Sequence, residues 1–377
     1  MRGSIRQRGK HSWEVAFDMG RDPLTGKRRQ VWRTVKGSKA DAQRELRELL
    51  RSVEKGDYVK PSRITLGELL EEWLSGYVDG NCSPRTKASY EQIARRHVSP
   101  KLGGIPLSQL ETRHLQAFYG RHRVEGRIKG NSPLSPRTIR YCHTVISEAL
   151  SYAVKMGLIA RNVAQAADPP KLENRTMPIL ALDDLFKFLQ SAAQTPYYTF
   201  FYTLSWTGMR RGEALALKWK NVDLDSAKLF VVESGYKLNG EYIIKEPKTP
   251  KSRRQIDLDR KLVSLLRRHK ENEEALRMTL GGVLSSSDFV FAQPDGTPLS
   301  PDTVTHACAK ILARAGLPHV RLHDLRHTHA TILMILGLPS KVVSERLGHS
   351  SSRITLDTYS HVTPGLQKAA TQAQVLQ

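Results

Sequence analysis

The sequence predicts a multidomain α+β protein, in which a small sheet with one helix precedes a helical region and then a mainly helical region with strands. Near the N-terminus, apolar and polar residues alternate as in half-buried strands. Further along, apolar residues recur at three- and four-residue spacing, as in helices with one buried face. A length of 377 residues predicts two or three domains with ample core for each.

The charge balance indicates a polyanionic partner. Lysine and arginine number 59 against 37 aspartate and glutamate, so the formal net charge is +22 and the pI is near 10.0. Because the basic residues are clustered, nucleic acid is the expected partner. Three cysteines lie far apart without metal-ligand spacing and predict reduced thiols: Cys82, Cys142 and Cys308. The sequence shows neither a secretory signal nor a membrane-spanning run, so we expect a soluble cytoplasmic protein without a membrane partner.

Residues 1–60 predict a small basic sheet backed by a helix. Apolar residues alternate with polar ones over 13–17 and again over 31–35. Ser38 is expected to cap the helix, with Asp41 completing a capping box. A thin basic sheet can enter a DNA groove, although a solvated basic surface would show the same charge run. The candidate DNA contacts here are Arg6, Arg8, Lys27, Arg28, Arg29 and Arg33.

Residues 62–168 predict an all-helical domain. Thr65 is placed to cap its first helix, and Ser83 and Ser135 each precede a proline at the first helical position of another. Phosphate contacts by basic residues would position DNA without reading its sequence, although each such residue also fits a solvated surface. The candidates are Arg85, Lys87, Arg137 and Arg140. A proline-rich polar stretch over 168–178 then predicts a linker.

Region 172–377 carries the residues that could take part in a chemical reaction. Arg210 follows a glycine break and begins a helix with Glu213 one turn later, which places a guanidinium at a helix N-terminus, where an anion is favoured. Alone, this pair would be an ordinary surface ion pair. Lys248 lies in a basic stretch that we expect to form the tip of a hairpin between two strands, where a lysine could reach a phosphate. Alone, it would be an ordinary solvated turn lysine.

A second group of such residues follows closer to the C-terminus. His323 and Arg326 are three residues apart, so both project from one face of a helix. His349 and Tyr359 come later. Arginine can clamp phosphoryl oxygens, histidine can move protons and tyrosine can become a covalent nucleophile. These residue types therefore suit chemistry on a phosphodiester.

Five motifs, taken in order, resemble the tyrosine recombinase (phage integrase) family: TGMRRGEALAL, PKTPKSRR, LHDLRHTHA, LGHSS and DTYSH. The resemblance covers the whole chain and is to lambda-like and conjugative-transposon integrases with an arm-binding N-terminal domain. It implies a small three-stranded sheet plus helix at 1–60 as an arm-type DNA-binding domain, and an all-helical SAM-like core-binding domain at 62–168. It also implies a mainly α catalytic domain with a small antiparallel sheet and a C-terminal tail at 172–377.

The resemblance also implies how the phosphate would be held. Arg210 and Arg326 would be the paired arginines that bind the non-bridging oxygens of the scissile phosphate. Glu213 would be the acidic residue that supports the arrangement of the site.

The same resemblance implies the groups that react or move protons. Tyr359 would be the nucleophile, and His323 would accept a proton near it. Lys248 would protonate the departing 5′ oxygen, with Lys245 and Lys251 as neighbours that share the stretch. His349 would be a second histidine, hydrogen-bonded to the phosphate.

The predicted function is a site-specific DNA recombinase that integrates or excises a phage or mobile element. It would act through a 3′-phosphotyrosyl intermediate and a Holliday junction, without metal, ATP or another cofactor. Double-stranded DNA with core and arm attachment sites would be its partner, bound by a homotetramer at the bacterial nucleoid. A DNA-bending protein and an excision factor are left open as accessory partners. Two alternatives stand beside it: a DNA-binding regulator without catalysis and a type IB topoisomerase-like enzyme.

A zinc site is the rival interpretation of one stretch. His323, Asp324 and His327 mimic the H-E-x-x-H pattern, in which two histidines bind zinc. Aspartate is a shorter base than glutamate, and Arg326 would place a fixed positive charge beside the metal. We therefore expect no metal there and expect His327 and His329 to serve in packing. The apolar residues that follow are expected in the core: Ile332, Leu333, Ile335 and Leu336.

Overall fold

The computed structural model describes residues 3–21, 26, 28–54, 63–125, 132–173, 178–246 and 253–348. They belong to two compact units, Met1–Asn174 and Arg175–Gln377. Within the described residues, no helix combines the length and the apolar character needed to cross a membrane.

The first unit begins with a three-stranded antiparallel sheet covered by one helix. The elements are β1 (Gly3–Gly9), β2 (Ser12–Arg21), β3 (Arg28–Lys36) and α1 (Lys39–Glu54), and the sheet order is β1-β2-β3. Alternation along β2 places Val15 and Phe17 on the face that packs against Leu46 of α1. The Ser38 hydroxyl accepts from the Asp41 amide, and the Asp41 carboxylate accepts from the Ser38 amide, which confirms the predicted capping box.

The rest of the first unit is helical. Its helices are α2 (Leu66–Trp73), α3 (Asp79–Asn81), α4 (Pro84–Ile93), α5 (Ser99–Leu102), α6 (Thr112–Val124) and α7 (Pro136–Lys155). Short π-helical turns continue α2 and α4. The caps predicted at Thr65, Ser83 and Ser135 are confirmed, because each hydroxyl accepts from an amide in the first turn. Buried residues of α2 and α7, such as Trp73 and Ile146, share a core separate from that of the sheet.

The second unit is mainly helical with short strands. Its elements are α8 (Leu182–Ala192), α9 (Tyr198–Thr207), α10 (Arg211–Leu215), β4 (Val222–Asp223), β5 (Lys228–Val231), β6 (Ser234–Leu238), β7 (Glu241–Lys245), β8 (Arg254–Asp257), α11 (Arg260–Thr279), α12 (Pro301–Arg314), α13 (Asp324–Ile335) and α14 (Ser340–Leu347). Helix α9 carries Phe200, Phe201 and Leu204 at its buried positions and packs against α8, α10, α11 and α13. It is therefore the central helix around which the ends of α10 and α13 are placed.

The strands form two small antiparallel sheets, β4-β5-β8 and β6-β7. The expectation that β7 and β8 form one hairpin is wrong, since β7 pairs with β6 and β8 pairs with β5. The missed signal is Asn239-Gly240 between β6 and β7, where both residues have positive φ, 50° and 92°. An Asn-Gly pair with this geometry is the favoured two-residue hairpin turn.

The end of α13 corrects a second expectation. Ile335 and Leu336, predicted in the core, are 64% and 69% exposed. Ile332 and Leu333 do pack against buried residues. Only one side of α13 faces the core. The helix ends at Ile335, and Gly337 adopts a left-handed conformation directly after it, so Ile335 and Leu336 stay on the exposed side.

Candidate active site

Gly208 ends α9 and allows the end of α14 to approach closely. It adopts the left-handed conformation with φ of 66°. A Cβ added there would lie 2.6 Å from Cδ2 of Leu347 and 2.7 Å from Cδ2 of His329. Only glycine avoids both the strain of the left-handed backbone and the collision of a Cβ with Leu347 and His329. Gly208 therefore allows the start of α10 to lie next to the end of α14.

Arg210 caps α10 and makes two hydrogen bonds to Glu213, one turn later. Its backbone N–H donates to Glu213 Oε2 at 2.8 Å, and its Nη1 donates to Oε1 at 2.8 Å. Its Nη2 donates to the carbonyl oxygen of Gly348 at 3.2 Å. The side chain is still 39% exposed, so an anion from solvent can reach the guanidinium.

Arg326 lies in the first turn of α13 and is only 3% exposed. Its Nη1 donates to the carbonyl of Gly208 and its Nη2 to that of Leu347, both at 2.7 Å. The structure thus brings Arg326 and Arg210 together against the same turn, formed by Leu347 and Gly348.

Arg254, the last residue of the PKTPKSRR motif, is a member of this cluster to which the sequence analysis gives no role. It begins β8, and its side chain is 5% exposed. Its Nη2 donates to Glu213 Oε2 at 2.8 Å, and its Nε donates to the carbonyl of Arg346 at 2.7 Å. A signal for it is present in the sequence: in the strand alternation Arg254 shares a face with Ile256, which is buried, and a charge on a buried face requires a partner.

Three successive carbonyl groups at the end of α14 accept from the three arginines. The carbonyls of residues 346, 347 and 348 accept from Arg254, Arg326 and Arg210, respectively. The last carbonyls of a helix have no partner within the helix and carry its negative dipole end. Cations at this position satisfy both requirements, so the end of α14 holds three guanidinium groups side by side.

Glu213 is the acidic centre of the cluster and is 5% exposed. Burial alone would raise the pKa of its carboxyl group. The charges of Arg254 and Arg210 and their hydrogen bonds outweigh burial and lower the pKa to about 2. Glu213 is therefore ionised at neutral pH and holds both arginines.

His323 lies just before α13, and the centre of its ring is 5.1 Å from that of His327. The residue keeps a surface open to solvent, but the protein around the ring removes enough solvent to disfavour its charged form. For this reason first, and then because His327 and Arg326 repel a positive charge, the pKa of His323 falls to about 4. The imidazole is therefore neutral at pH 7 and able to accept a proton.

His329 and Arg346 connect α13 to α14. His329 is 2% exposed, and burial lowers its pKa to about 3. Nε of Arg346 donates to His329 Nε2 at 3.3 Å, and its Nη2 donates to the carbonyl of Trp206 at 3.1 Å. His329 is thus a packing residue, in agreement with its sequence interpretation.

Asp324, the acidic residue of the zinc interpretation, is already engaged in an ion pair with Arg321. Asp324 is fully buried, and its carboxylate accepts from the backbone N–H and the guanidinium of Arg321. Among the residues that the structure describes, no three histidine, cysteine or acidic side chains are grouped as a metal site requires.

The structure describes Arg210, Glu213, His323 and Arg326 of the predicted catalytic set and brings them together. The other predicted catalytic residues, Lys248, His349 and Tyr359, lie outside the described residues. His349 directly follows the turn at Gly348, against which the arginines rest.

The basic candidates of the first sheet occupy both of its faces. Three ion pairs, Arg8–Glu14, Arg28–Asp18 and Arg33–Glu45, measure 2.9, 2.6 and 2.8 Å. Arg33 pairs in register with Val15 and reaches Glu45 of α1, so it lies toward the helix-covered face. Arg6 is exposed in β1, Arg29 lies in β3, and Lys27 lies outside the described residues.

The basic candidates of the helices lie on α4 and α7. Arg137 and Arg140 line a groove of about 590 Å³ between these two helices, together with Gln92 and polar hydroxyl groups. Arg140 also donates to the carbonyl of Pro170 at 3.2 Å. The remaining two are in α4, where Lys87 is paired with Asp79, and Arg85 lies in the first turn.

Two family models match the chain. Residues 179–365 match the phage integrase family, and residues 65–121 match the N-terminal SAM-like domain of phage integrases. A tyrosine recombinase XerC-like protein of Caldanaerobacter subterraneus subsp. tengcongensis is 29% identical over 379 residues, with 94% of each chain covered. The ICEBs1 integrase of Bacillus subtilis is 28% identical over 371 residues, with 97% of each chain covered.

Solved structures share the fold. The Tn1549 transposon integrase, in complex with a circular intermediate DNA, has a TM-score of 0.69 at 22% identity, covering 83% of this chain and 100% of that one. A lambda integrase dimer bound to a COC′ core site has a TM-score of 0.59 at 19% identity, covering 94% of each chain. This confirms the predicted mixed architecture, mainly helical with small antiparallel sheets. The chain belongs to the phage integrase family of tyrosine recombinases.

Proposed function

We propose that this protein is a site-specific DNA recombinase that cuts and rejoins DNA, with Tyr359 as its covalent nucleophile. The observation that carries the proposal is the pair of Arg210 and Arg326. Their guanidinium groups come from two different helices and rest on adjacent carbonyls, those of Gly348 and Leu347. Two neighbouring cations suit the two non-bridging oxygens of one phosphodiester.

The two arginines would stabilise the transition state. Attack on a phosphodiester builds negative charge on the phosphoryl oxygens, and preorganised donors stabilise that charge without having to reorient. Arg326 is held by two carbonyls in a buried position, where electrostatic interactions are stronger than in water. Loss of one such donor typically lowers the rate by a factor on the order of 10²–10³.

Proton transfer would involve His323 and Lys248. A free phenol has a pKa of about 10, so about one in a thousand is ionised at pH 7, a gap of roughly 4 kcal/mol. The neutral imidazole of His323 can accept the proton as the Tyr359 oxygen bonds to phosphorus. The bond from phosphorus to the 5′ oxygen breaks at the same time, and Lys248 would donate a proton to that oxygen. The phosphotyrosyl ester conserves the energy of the broken phosphodiester bond. Attack of a 5′ hydroxyl on that ester therefore rejoins the strand without ATP.

DNA binding would use three regions of the chain. We propose the division into an arm-type domain at 1–60, a core-binding domain at 62–168 and a catalytic domain at 172–377. The groove lined by Arg137 and Arg140 and the basic sheet support this, together with the net charge of +22. The lambda integrase has been solved as a tetramer bound to a Holliday junction. We propose a homotetramer that acts through such a junction, on core and arm sites.

The accessory partners and the cellular place of action stay predictions. A DNA-bending protein, an excision factor and association with the bacterial nucleoid each depend on the DNA that the protein recognises. Recovering the DNA that flanks the gene in its genome would provide the attachment sequences that this protein recognises.

The test is capture of the covalent intermediate. The protein is incubated with a nicked attachment-site duplex, from which the fragment beyond the cut diffuses away, and a protein–DNA adduct is sought on a denaturing gel. We expect the wild type to form an adduct and Tyr359→Phe to form none while still binding the duplex.

The other outcomes separate the alternatives. DNA binding without any wild-type adduct would favour a regulator, and an adduct that survives Tyr359→Phe would refute the assigned nucleophile. A topoisomerase-like enzyme would relax supercoiled DNA but would not exchange strands between two partner sites. Binding should weaken steeply with salt, because many phosphate contacts release counterions.

A further inference from the structure

Arg254 occupies a position where a cation is unusual. Its side chain is 5% exposed on the buried face of β8, and arginine is seldom fully buried unless it is paired. Burying a charge is unfavourable without a partner of opposite charge and satisfied hydrogen bonds. Arg254 has both, in the carboxylate of Glu213 and the carbonyl of Arg346. A buried apolar residue would fill the same space, so the choice of arginine points to these two contacts.

The first contact acts on Arg210 through Glu213. Glu213 Oε2 accepts from Nη2 of Arg254 and from the backbone N–H of Arg210, while Oε1 accepts from Nη1 of Arg210. Both oxygens of the carboxylate are therefore held, which fixes its plane. Since the guanidinium of Arg210 is hydrogen-bonded to that carboxylate, Arg254 fixes the direction in which Arg210 points.

The second contact acts on the end of α14. Arg254 Nε binds the carbonyl of residue 346, and the next two carbonyls hold Arg326 and Arg210. The backbone of Gly348 also lies close to Arg254, since a Cβ added to Gly348 would lie 3.1 Å from Cδ of Arg254. One side chain thus touches both the acid that orients Arg210 and the turn on which both phosphate-binding arginines rest.

Charge balance gives Arg254 a further effect. Arg210 and Glu213 alone form a neutral pair, whose field would attract a phosphate weakly. With Arg254 on the other side of the carboxylate, the three groups carry a net charge of +1. The carboxylate can then hold Arg210 in place without cancelling its charge toward the DNA.

We propose that Arg254 is a positioning residue for strand cleavage, which orients Arg210 through Glu213 and keeps the site positive. This inference rests on the proposed recombinase function. Arg254 does not touch the substrate in this scheme, and it acts through Glu213 and the end of α14. Arginine is required because its Nε and Nη2 donate in two directions, whereas lysine presents a single point charge.

The experiment measures single-turnover cleavage of the nicked attachment-site duplex by Arg254→Gln and Arg254→Lys. We expect R254Q to lower the cleavage rate constant on the order of 100-fold and R254K to lower it by about 10-fold, as for loss or weakening of one electrostatic donor. DNA affinity should stay within about twofold, because the residue is buried. Arg267→Gln is the matched control, since it removes the same charge from an exposed pair with Asp225 and should cleave like the wild type.

A neutral substrate separates positioning from a general structural defect. When a methylphosphonate replaces the scissile phosphate, the linkage no longer carries a negative charge, so correct placement of Arg210 matters less. We expect the ratio of wild-type to R254Q rates to narrow several-fold on this substrate. An equal ratio on both substrates would show that Arg254 serves only to stabilise the fold. If R254Q does not fold, as judged by circular dichroism, R254K decides the question in the same comparison.

The two proposals fail in different ways. A wild-type protein that forms no adduct refutes the recombinase function. A wild-type protein that forms one, with R254Q or R254K cleaving as fast as R267Q, refutes only the positioning role of Arg254.

Discussion

Replacement of Glu213 by glutamine should destabilise the second unit by an amount that follows from its pKa. The carboxyl pKa falls from the ordinary 4.5 to about 2. At about 1.4 kcal/mol per pKa unit, the ionised carboxylate stabilises the folded state by about 3 kcal/mol at pH 7. Glutamine keeps the shape but loses the charge, and it leaves Arg254 buried beside a neutral group. Breaking a buried ion pair typically costs about 3–5 kcal/mol, which agrees in size.

The loss should depend on pH with a definite sign. The pKa of Glu213 is lower in the folded protein than in the unfolded chain, so its stabilisation is complete above about pH 4.5. The stabilisation falls as the pH drops toward 2, because the unfolded chain binds the proton first. At pH 3 we expect the difference between wild type and Glu213→Gln to shrink to about 1 kcal/mol.

Urea titrations at pH 7 and pH 3, followed by circular dichroism, measure both quantities. Because the chain divides into two compact units, each resolved transition is fitted separately, and the shift is taken from the transition that moves. Asp225→Asn serves as the control, because its carboxylate is 91% exposed in a surface pair with Arg267. The reasoning is refuted if Glu213→Gln moves the midpoint no more than Asp225→Asn at pH 7. It is also refuted if the loss is the same at both pH values.

Three further outcomes follow from the site. Arg326→Lys cannot reach the carbonyls of both Gly208 and Leu347, so single-turnover cleavage should fall on the order of 10²–10³-fold with DNA affinity little changed. Gly208→Ala places alanine in a left-handed backbone conformation with its Cβ 2.6 Å from Leu347, so the free energy of unfolding, measured by thermal unfolding, should fall by about 1–3 kcal/mol. Because the pKa of His323 is about 4, the cleavage rate should show no loss from its protonation between pH 8 and 5, and should decline nearer pH 4. A decline centred near pH 6.5 would contradict this.

The sequence predicted helix starts well, because a capping interaction joins residues only three positions apart. A hydroxyl before the first helical turn predicts a cap because its partner is three residues away, and the caps at Ser38, Thr65, Ser83 and Ser135 are present. The Asn239-Gly240 turn is equally local, and its hairpin could have been predicted from the sequence. The pairing of β5 with β8 could not, because their separation along the chain leaves no short-range signal for it.

The residues of the site likewise fall into those that sequence motifs indicate and those whose role only the structure reveals. The motifs indicate Arg210 and Arg326, since each lies in a recognisable local pattern, and the structure describes both beside one turn. The role of Arg254 depends on which groups surround it in space, and spacing along the chain does not encode that. The exposure of Ile335 likewise depends on how far the core extends, which an apolar pattern cannot define.

The groups that receive the three guanidinium groups at the end of α14 are main-chain oxygens, which no substitution removes. At Leu347, the carbonyl holds Arg326 while the side chain packs among apolar neighbours. Leu347 could therefore be replaced by another apolar residue of similar volume, which would change the packing but leave the carbonyl oxygen available to Arg326. Gly348 offers no such latitude, because its left-handed backbone strains other residues and an added Cβ would lie only 3.1 Å from Cδ of Arg254. A library for altering this enzyme should vary the first position and leave the second untouched.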